Sequence, residues 1–508
     1  MVTRCRALAV IGAVVWLCGC AVGPDYELPV VGVPKAFGSV SETTATASPP
    51  TAADFVRWWH VLHDQRLNAL IERAIASNPD IEIALTRVQE ARTEQIVVIG
   101  AMLPTVGGSG AIATGTGTDL SKGRAAQSIR AGDSATGLKS ISRIAGFDAG
   151  WELDLFGKNL RLLEAVRDDS EARMELRNAL LITVVADVAR NYLDIRGLQS
   201  RLEIARNDVA TAQKTVDVLL TRFDRGLSNE LDLTLARRQL ATQQARLPEL
   251  MALISAAESR LALLLGTNAA DIMGDLQGSA KLPHTSERLR TGVPVDLLRR
   301  RPDVRAAERN LAAATARIGV ATAALFPSVA LTAGFGGQGG TRTGTTPPIQ
   351  GPIWSFGPGA YWPLLDFGRL DALVDIQEQR THEAYVTYRK TIIVAVEEVD
   401  QGIKQYRLDL TQQKTLGVAL TASRRAVDLA MERYERGVTD FLNVLDAQRQ
   451  EYALEDQNAV AEEISVLQYV AFYKALGGGW ELYDELPPIP AAQPAIAATV
   501  RRLVNAWH

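Results

Sequence analysis

Apolar side chains recur along this chain with two different periods, and each period occurs in both halves. Where the period is two residues, one face is apolar and the other is small or acidic. In the clearest segment the apolar positions are Phe147, Ala149, Trp151, Leu153 and Leu155, and the polar positions are Asp148, Gly150, Glu152 and Asp154. In the second half the apolar positions are Val329, Leu331, Ala333 and Phe335. Strict alternation predicts β-strands that each have one apolar face.

The strands are predicted to form one hairpin in each half of the chain. The hairpins span residues 103–155 and 327–366, and Gly- and Thr-rich segments at 114–137 and 336–351 predict the loops within them. Strands with lipid on one face and water on the other have this pattern, and Trp151 and Trp362 suit a membrane interface. Soluble hairpins whose polar faces meet solvent have the same pattern, so alternation alone leaves both interpretations open.

Where the period is helical, the chain contains long segments without proline. Segments 157–226 and 368–437 each run for about 70 residues, which at about 1.5 Å per residue predicts helices of roughly 100 Å. A second helix is predicted to return from near Asn229 and from near Asp440. Heptad-like spacing of apolar residues predicts coiled-coil packing. These residues are Val209, Val216, Phe223, Val427 and Tyr434.

The same motifs occur twice in the same order, which indicates an internal duplication. Asn78-Pro79-Asp80 recurs as Arg301-Pro302-Asp303, residues 103–106 recur as 326–329, 151–158 as 362–369, and 222–226 as 433–437. We therefore predict two copies of one unit of helix, strand pair and helical hairpin. The copies span 55–266 and 294–477, with helical hairpins at 157–266 and 368–477, a connector at 267–293 and a tail at 478–508.

The start of the chain has the features of an export signal. Arg4 and Arg6 precede a short apolar stretch, so residues 1–19 are predicted to be a signal peptide. Cys20 follows a sequence that resembles a bacterial lipobox, which would make 20–54 a lipidated segment and linker with acyl chains on Cys20. The alternative is an ordinary signal peptide with an incidental cysteine. Cys20 is the one cysteine after the predicted signal, so no disulfide is expected.

Charge and composition exclude several classes of function. The formal net charge is −4 with both signs interspersed, and no basic surface indicates nucleic-acid binding. No nucleophile, base and metal-ligand constellation is present, so we expect no enzyme activity, no metal site and no cofactor beyond the lipid.

Six motifs together resemble the TolC-like outer-membrane factors, and more closely their lipidated NodT-type branch. They are Gly23-Pro24-Asp25-Tyr26, Trp58-Trp59, residues 151–157, 300–308, 365–369 and 444–449. The resemblance implies an α+β membrane protein, a homotrimer in which each protomer gives four strands to a 12-stranded β-barrel and long helices to a coiled-coil barrel in the periplasm. It implies a passive exit duct in the outer membrane, in contact with its lipid. Its partners would be a periplasmic adaptor and an inner-membrane pump of the RND type. The alternative function is a periplasmic coiled-coil lipoprotein without a pore.

The resemblance also assigns roles to particular residues. The periplasmic gate would contain Leu442, Asp446 and Arg449, whereas the first copy has Leu231, Leu235 and Arg238 at these positions. Adaptor docking would involve the hairpin tips, with Arg222, Arg225 and Gly226 in one copy and Arg433, Arg436 and Gly437 in the other. Asp148, Glu152 and Asp154 would line the barrel lumen.

Each of these assignments has a simpler alternative. Asp446 and Arg449 are three residues apart, so they could form an ordinary ion pair within one helix. Gly226 and Gly437 suit a left-handed turn that ends a helix. The acidic residues of the strand could be ordinary solvated positions.

Overall fold

The computed structural model describes residues 21–34, 38, 55–116, 139–276, 282–283, 289, 300–342 and 349–481. After a short 3-10 helix (Trp58–Leu62), the first copy contains α1 (Gln65–Ser77), α2 (Pro79–Ala101), β1 (Thr105–Thr116), β2 (Lys139–Leu153), α3 (Lys158–Asp224) and α4 (Glu230–Leu264). Helix α5 (Ala269–Leu276) follows. The second copy contains α6 (Pro302–Ala323), β3 (Ser328–Arg342), β4 (Ile349–Tyr361), α7 (Arg369–Glu435) and α8 (Phe441–Ala475).

The two long helical hairpins have identical dimensions, which confirms the predicted helices. Helices α3 and α7 contain 67 residues each, and α4 and α8 contain 35 each. At about 1.5 Å per residue the longer helices extend roughly 100 Å. Each short helix before the strands begins with proline, where the missing N–H is no loss.

The four strands form one antiparallel sheet in the order β1-β2-β3-β4. Within the described residues β1 and β4 are therefore edges. Both strands of the second hairpin extend into the segment 336–351 that composition predicts as a loop, so this prediction was wrong at both ends. A Cβ on Gly336 would lie 2.6 Å from the backbone oxygen of Ala145, and one on Gly146 would lie 2.7 Å from that of Phe335. These glycines allow two strand backbones to approach closely and do not mark a loop.

The largest apolar cluster joins the start of the first copy to the middle of the long helices. Trp58 and Trp59 are buried in it, and Trp58 stacks on Tyr473 of α8 at 5.7 Å between ring centroids. Tyr192 of α3 donates a hydrogen bond to Asp64, whose other carboxylate oxygen caps α1. No helix in the described part of the chain is long and apolar enough to cross a membrane.

Polar contacts hold each short helix to the end of the neighbouring hairpin. Asn78 caps α2 and donates its amide to the Leu264 carbonyl at 2.8 Å. At the corresponding place in the second copy, the Arg301 guanidinium donates to the Ala475 carbonyl, also at 2.8 Å. Both groups satisfy a carbonyl in the last turn of a helix that has no partner within that helix.

A charged network lies inside the helical hairpins. Arg201 of α3 and Arg246 of α4 each bind Asp456 of α8 at 2.9 Å. Nearby on α3, Asp208 is buried beside Glu455 of α8. Burial, and next the neighbouring Glu455 carboxylate, raise the pKa of Asp208 to about 8.

This raised pKa predicts that Asp208→Asn stabilises the protein more at pH 8 than at pH 5. An unfolded aspartate has a pKa of about 3.9, so the folded state holds this proton more tightly than the unfolded state, and stability is lost as pH rises from about 4 to 8. An asparagine carries no such proton. Thermal melting followed by circular dichroism should therefore show an increase in Tm of several degrees at pH 8 and a smaller increase at pH 5.

The exposed Asp217 on the same helix gives a matched control. Asp217→Asn should leave Tm nearly unchanged at both values of pH. An equal effect of Asp208→Asn at pH 5 and pH 8 would contradict the assignment.

Candidate gate, docking surfaces and anchor segment

Residues 21–34 begin in a closely packed region where the sheet meets the long helices. The Val22 amide donates to the Phe156 carbonyl at 3.2 Å. Gly23 has φ +94°, and a Cβ on it would lie 2.4 Å from the Cα of Gly319. A Cβ on Gly157 would similarly lie 2.6 Å from the Cα of Ala21. The segment therefore passes between the start of α3 and helix α6 where only glycine fits.

Arg161 in the first turn of α3 fixes this segment. Its buried guanidinium donates to the carbonyls of Val22 and Gly23, both at 3.3 Å, and binds the Asp25 carboxylate at 2.6 Å. Further along, Tyr26 packs against a cluster formed by α6 and α7. We call residues 21–34 the anchor strap. Cys20, which precedes it, lies outside the described residues, as does the predicted signal peptide.

The sheet has one apolar face and one face of small and polar residues. The paired positions Phe147, Phe335 and Trp354 form an aromatic row across three strands and are 67%, 66% and 77% exposed. On the opposite face, Asp148 stands between Gly107 and Gly334. This chain therefore leaves the apolar face of its sheet uncovered.

The three acidic residues of this region occupy different environments. Asp148 is exposed on the polar face, and Glu152 pairs with Lys158 at 3.5 Å. Asp154 was predicted as a strand position, which was wrong, because β2 ends at Leu153. The Asp154 carboxylate instead accepts the Leu160 amide at 2.9 Å and so satisfies a free donor at the start of α3.

Both tryptophans that were predicted to suit a membrane interface, Trp151 and Trp362, have a structural contact that alternation does not reveal. The Trp151 indole donates to the Met102 carbonyl at 2.9 Å, and the Trp362 indole donates to the Leu325 carbonyl at 3.0 Å. These carbonyls occupy equivalent places just after α2 and α6. The recurrence of Trp at the same position in both motifs was the one signal of this role.

The two hairpin tips have the same backbone and touch each other. Gly226 and Gly437 have φ of +70° and +72°, and the Leu227 and Val438 amides each close the turn onto an arginine carbonyl at 2.8 and 2.9 Å. This geometry is the left-handed helix end that the glycines predict. The apolar residues behind the tips form one cluster from both hairpins. The two tips are therefore a single surface.

The four arginines at the tips differ in their exposure and in their contacts. Arg222 is half-buried, and its guanidinium lies 4.9 Å from the centre of the Tyr434 ring, so it joins one hairpin to the other. Arg436, which directly follows α7, binds Glu432 in the last turn of that helix. Arg225 and Arg433 are exposed. The exposed charges at the tips are thus Arg225, Arg433 and Arg436 together with Asp224 and Glu435, so both signs are present.

The three predicted gate residues lie on α8 and are all exposed. In the described part of the chain no ion pair joins Asp446 to Arg449, so the alternative of a pair within one helix was wrong. The Arg449 guanidinium instead donates to the Gln239 amide oxygen of α4 at 3.3 Å. Asp446 has no charged partner in the described ranges, and Leu442 and its counterpart Leu231 are both more than half exposed.

Comparison with known families decides the identity of this architecture. The family model described as "Outer membrane efflux protein" matches residues 70–267 and 293–478. The chain belongs to the outer membrane efflux protein family. The two matched blocks each contain one short helix, two strands and one long helical hairpin.

Individual members of the outer membrane efflux protein family match nearly the whole chain. Nodulation protein T of Rhizobium leguminosarum bv. viciae is 28% identical over 95% of both chains. The toluene efflux pump outer membrane protein TtgF of Pseudomonas putida is 31% identical over 93% of this chain and 96% of its own. The solved outer-membrane channel OprN is 33% identical, with a TM-score of 0.80 over 91% of this chain and 100% of its own.

A second solved member, the open state of the Neisseria gonorrhoeae MtrE outer membrane channel, is 25% identical. It superposes with a TM-score of 0.75 over 92% of this chain and 100% of its own. The chain therefore has the TolC-like α+β fold and is an outer-membrane efflux channel with a periplasmic part. Its family and relatives are channel proteins.

The anchor strap is the part of this efflux channel that the sequence revealed least. Gly23 and Asp25 were recognised as a motif, but Arg161, which binds them, was not. The sequence did contain one indication of this role: Arg161 lies in the first turn of a long helix, where the helix dipole disfavours positive charge, so a nearby partner is expected.

Gly23→Ala should displace the anchor strap because the added methyl group has no space beside Gly319 and the backbone has positive φ. Limited proteolysis of the purified protein should show several-fold faster cleavage within residues 21–34. Gly32→Ala is the control, since a Cβ there meets nothing within 4 Å. Cleavage of both variants at the wild-type rate would refute the close packing of the anchor strap at Gly23.

Proposed function

We propose that three copies of this chain assemble into the passive exit duct of a tripartite efflux system. The observation that carries the proposal is the four-stranded sheet with two open edges and an uncovered apolar face. Exposed strand edges present unpaired N–H and C=O groups that readily pair with another chain. An assembly of copies satisfies both edges and gives the apolar face a role.

The antiparallel order of the strands suits edge-to-edge assembly. Because the sheet has four strands in alternating directions, β1 of one copy placed beside β4 of the next continues the same antiparallel pattern. Three copies would close a sheet of 12 strands, as the family resemblance implies. The aromatic row of Phe147, Phe335 and Trp354 would face lipid, and Asp148 and Glu152 would face the water-filled lumen.

The anchor strap supports lipidation of Cys20. Ala21 is held against Gly157, four residues after the end of β2. Acyl chains on Cys20, in the form of an N-acyl and an S-diacylglycerol group, would therefore enter the bilayer beside the last residues of the sheet. Acyl chains at this end of the sheet agree with the proposal that outer-membrane lipid surrounds the apolar face of the sheet.

The exposed face of α8 supports a gate at the far end of the duct. Leu442, Asp446 and Arg449 are spaced to share one helix face. Because Arg449 is engaged with Gln239 of its own chain, Asp446 is the group available to bind a neighbouring copy. Such contacts would restrain the helices near the tips and keep the tunnel narrow at rest.

The hairpin tips support docking of a periplasmic adaptor. Gly226 and Gly437 are exposed, and a Cβ on either would meet nothing within 4 Å, so a partner can approach the backbone closely. The exposed side chains of Arg225, Arg433 and Arg436, together with the carboxylates of Asp224 and Glu435, offer charges of both signs beside them. An adaptor would bind this single surface and link the duct to an inner-membrane pump of the RND type, which supplies the energy. The duct itself performs no catalysis.

The assembled protein should form a conducting trimer. We expect the protein purified from outer-membrane fractions to run as a trimer on gels without heating and as a monomer after heating. In a planar lipid bilayer the trimer should give single-channel conductance. A folded protein that stays monomeric, or a trimer without conductance as expected for a poreless coiled-coil lipoprotein, would refute the proposal.

Asp446→Ala should open the gate partially because it removes the carboxylate that restrains neighbouring helices. We expect the mean ion current of the purified trimer in a planar bilayer to increase several-fold at constant voltage. The matched control is Leu235→Ala at the equivalent position of the first copy, which removes no charge. If Asp446→Ala leaves the current of an intact trimer unchanged, Asp446 is not a gate residue.

A further inference from the structure

We propose that α2 of one copy docks on α7 of a neighbouring copy, and that Glu94 and Arg380 form the ion pair across this junction. The proposal rests on the proposed function, because it requires copies of the chain to assemble side by side. It adds the pair of helices and the pair of side chains that join one copy to the next.

The first observation is an asymmetry between the two short helices. Helix α6 packs along its own long helix α7 and also along α3, the long helix of the first copy. Helix α2, the counterpart of α6, packs along its own long helix α3 but has no comparable contact with α7 in the described residues. If the repeat is maintained around the assembly, the missing partner of α2 is α7 of the next copy.

The second observation is exposed apolar surface on both of these helices. Ala306 on α6 is buried at 1% exposure, whereas Ile83, its counterpart on α2, is 48% exposed. Ala165 on α3 is fully buried, whereas Ile376, its counterpart on α7, is 44% exposed. Two positions that are buried on α6 and α3 are thus exposed on α2 and α7, where they carry larger side chains.

The third observation is a reversal of charge. The contact of α6 with α3 contains an ion pair between Arg317 and Asp169. Counted from the proline that begins each short helix, the counterpart of Arg317 is Glu94. Counted from the glycine that precedes each long helix, the counterpart of Asp169 is Arg380. Both side chains are exposed and neither has an ion-pair partner in the described part of the chain. The pair is retained with its two charges exchanged.

A reversal of side-chain size accompanies the reversal of charge. In the contact of α6 with α3, Gly319 leaves space for Arg161, whose Cγ would lie 2.8 Å from a Cβ on that glycine. The counterparts are Ile96 on α2 and Ala372 on α7. Here the large side chain belongs to the short helix and the small one to the long helix, so the volume of the pair is again complementary.

The remaining ion pairs of α6 are not repeated. Arg305 and Arg309 bind carboxylates of α3. At the proposed junction the counterpart of Arg305, Glu82, would face Val386. The counterpart of Arg309, Thr86, would face Gln379 and His382. Glu94 and Arg380 are therefore the one oppositely charged pair among these counterparts. The reversal of charge also disfavours an exchange of the two short helices. Glu94 beside Asp169, or Arg317 beside Arg380, would place like charges together.

Cross-linking of the full-length trimer tests which helices meet. We expect the double variant Glu94→Cys and Arg380→Cys, treated with a short bismaleimide, to give covalent dimers and trimers on denaturing gels. The matched control is Asp169→Cys with Arg317→Cys, which should react within one chain and give no ladder but a change in monomer mobility. If the control reacts and the first variant stays monomeric on a denaturing gel while remaining a native trimer, the junction is wrong and the proposed function stands.

Charge exchange tests the ion pair itself. Glu94→Arg and Arg380→Glu should each lower the temperature at which half of the trimer dissociates, and the double variant should restore it, as a double-mutant cycle requires. A double variant no better than the sum of the single variants would overturn the pair. If the wild-type protein forms no trimer, the proposed function itself fails, which is a separate outcome.

Discussion

The free carbonyl groups at the ends of helices are the constraint on which this architecture depends. A helix leaves its last carbonyls without internal partners, and burying them unpaired is costly. Here two such carbonyls, those of Leu264 and Ala475, are satisfied by the side chains of Asn78 and Arg301. Trp151 and Trp362 likewise bind carbonyls just after α2 and α6, at the places where the chain turns into the strands. These contacts join successive elements at equivalent places in both copies.

The duplication produces equal scaffolds with unequal surfaces. The lengths of the long helices and the positions of the tip glycines are identical in the two copies, because backbone hydrogen bonds and packing determine them. The surface charges are different. Asp169 on α3 has Arg380 as its counterpart on α7, and Leu235 on α4 has Asp446 on α8. A chain with two similar halves can thus meet a neighbour at one junction that is not interchangeable with its internal one.

Sequence patterns predicted the fold closely where one period extends over many residues. The long helices, their returning partners and the strand pairs followed from periodicity, proline and glycine. The same reasoning failed where an interaction depends on a distant part of the chain. Gly336 was predicted to lie in a loop because its function, close approach to Ala145, requires knowledge of strand pairing. Asp154 was placed in a strand because alternation cannot show where a helix needs a cap. Arg161 was missed because its partners are far away in sequence. The roles proposed for Cys20, the gate and the tips came from resemblance and remain predictions.

The stacking of Arg222 on Tyr434 has a mechanical consequence. A guanidinium above an aromatic ring is held by a broad electrostatic attraction that has no single donor direction, unlike an ion pair with defined hydrogen bonds. The contact between Arg222 and Tyr434 therefore tolerates small shifts of the guanidinium above the ring. It links the two tips without requiring the exact alignment of donor and acceptor that an ion pair needs.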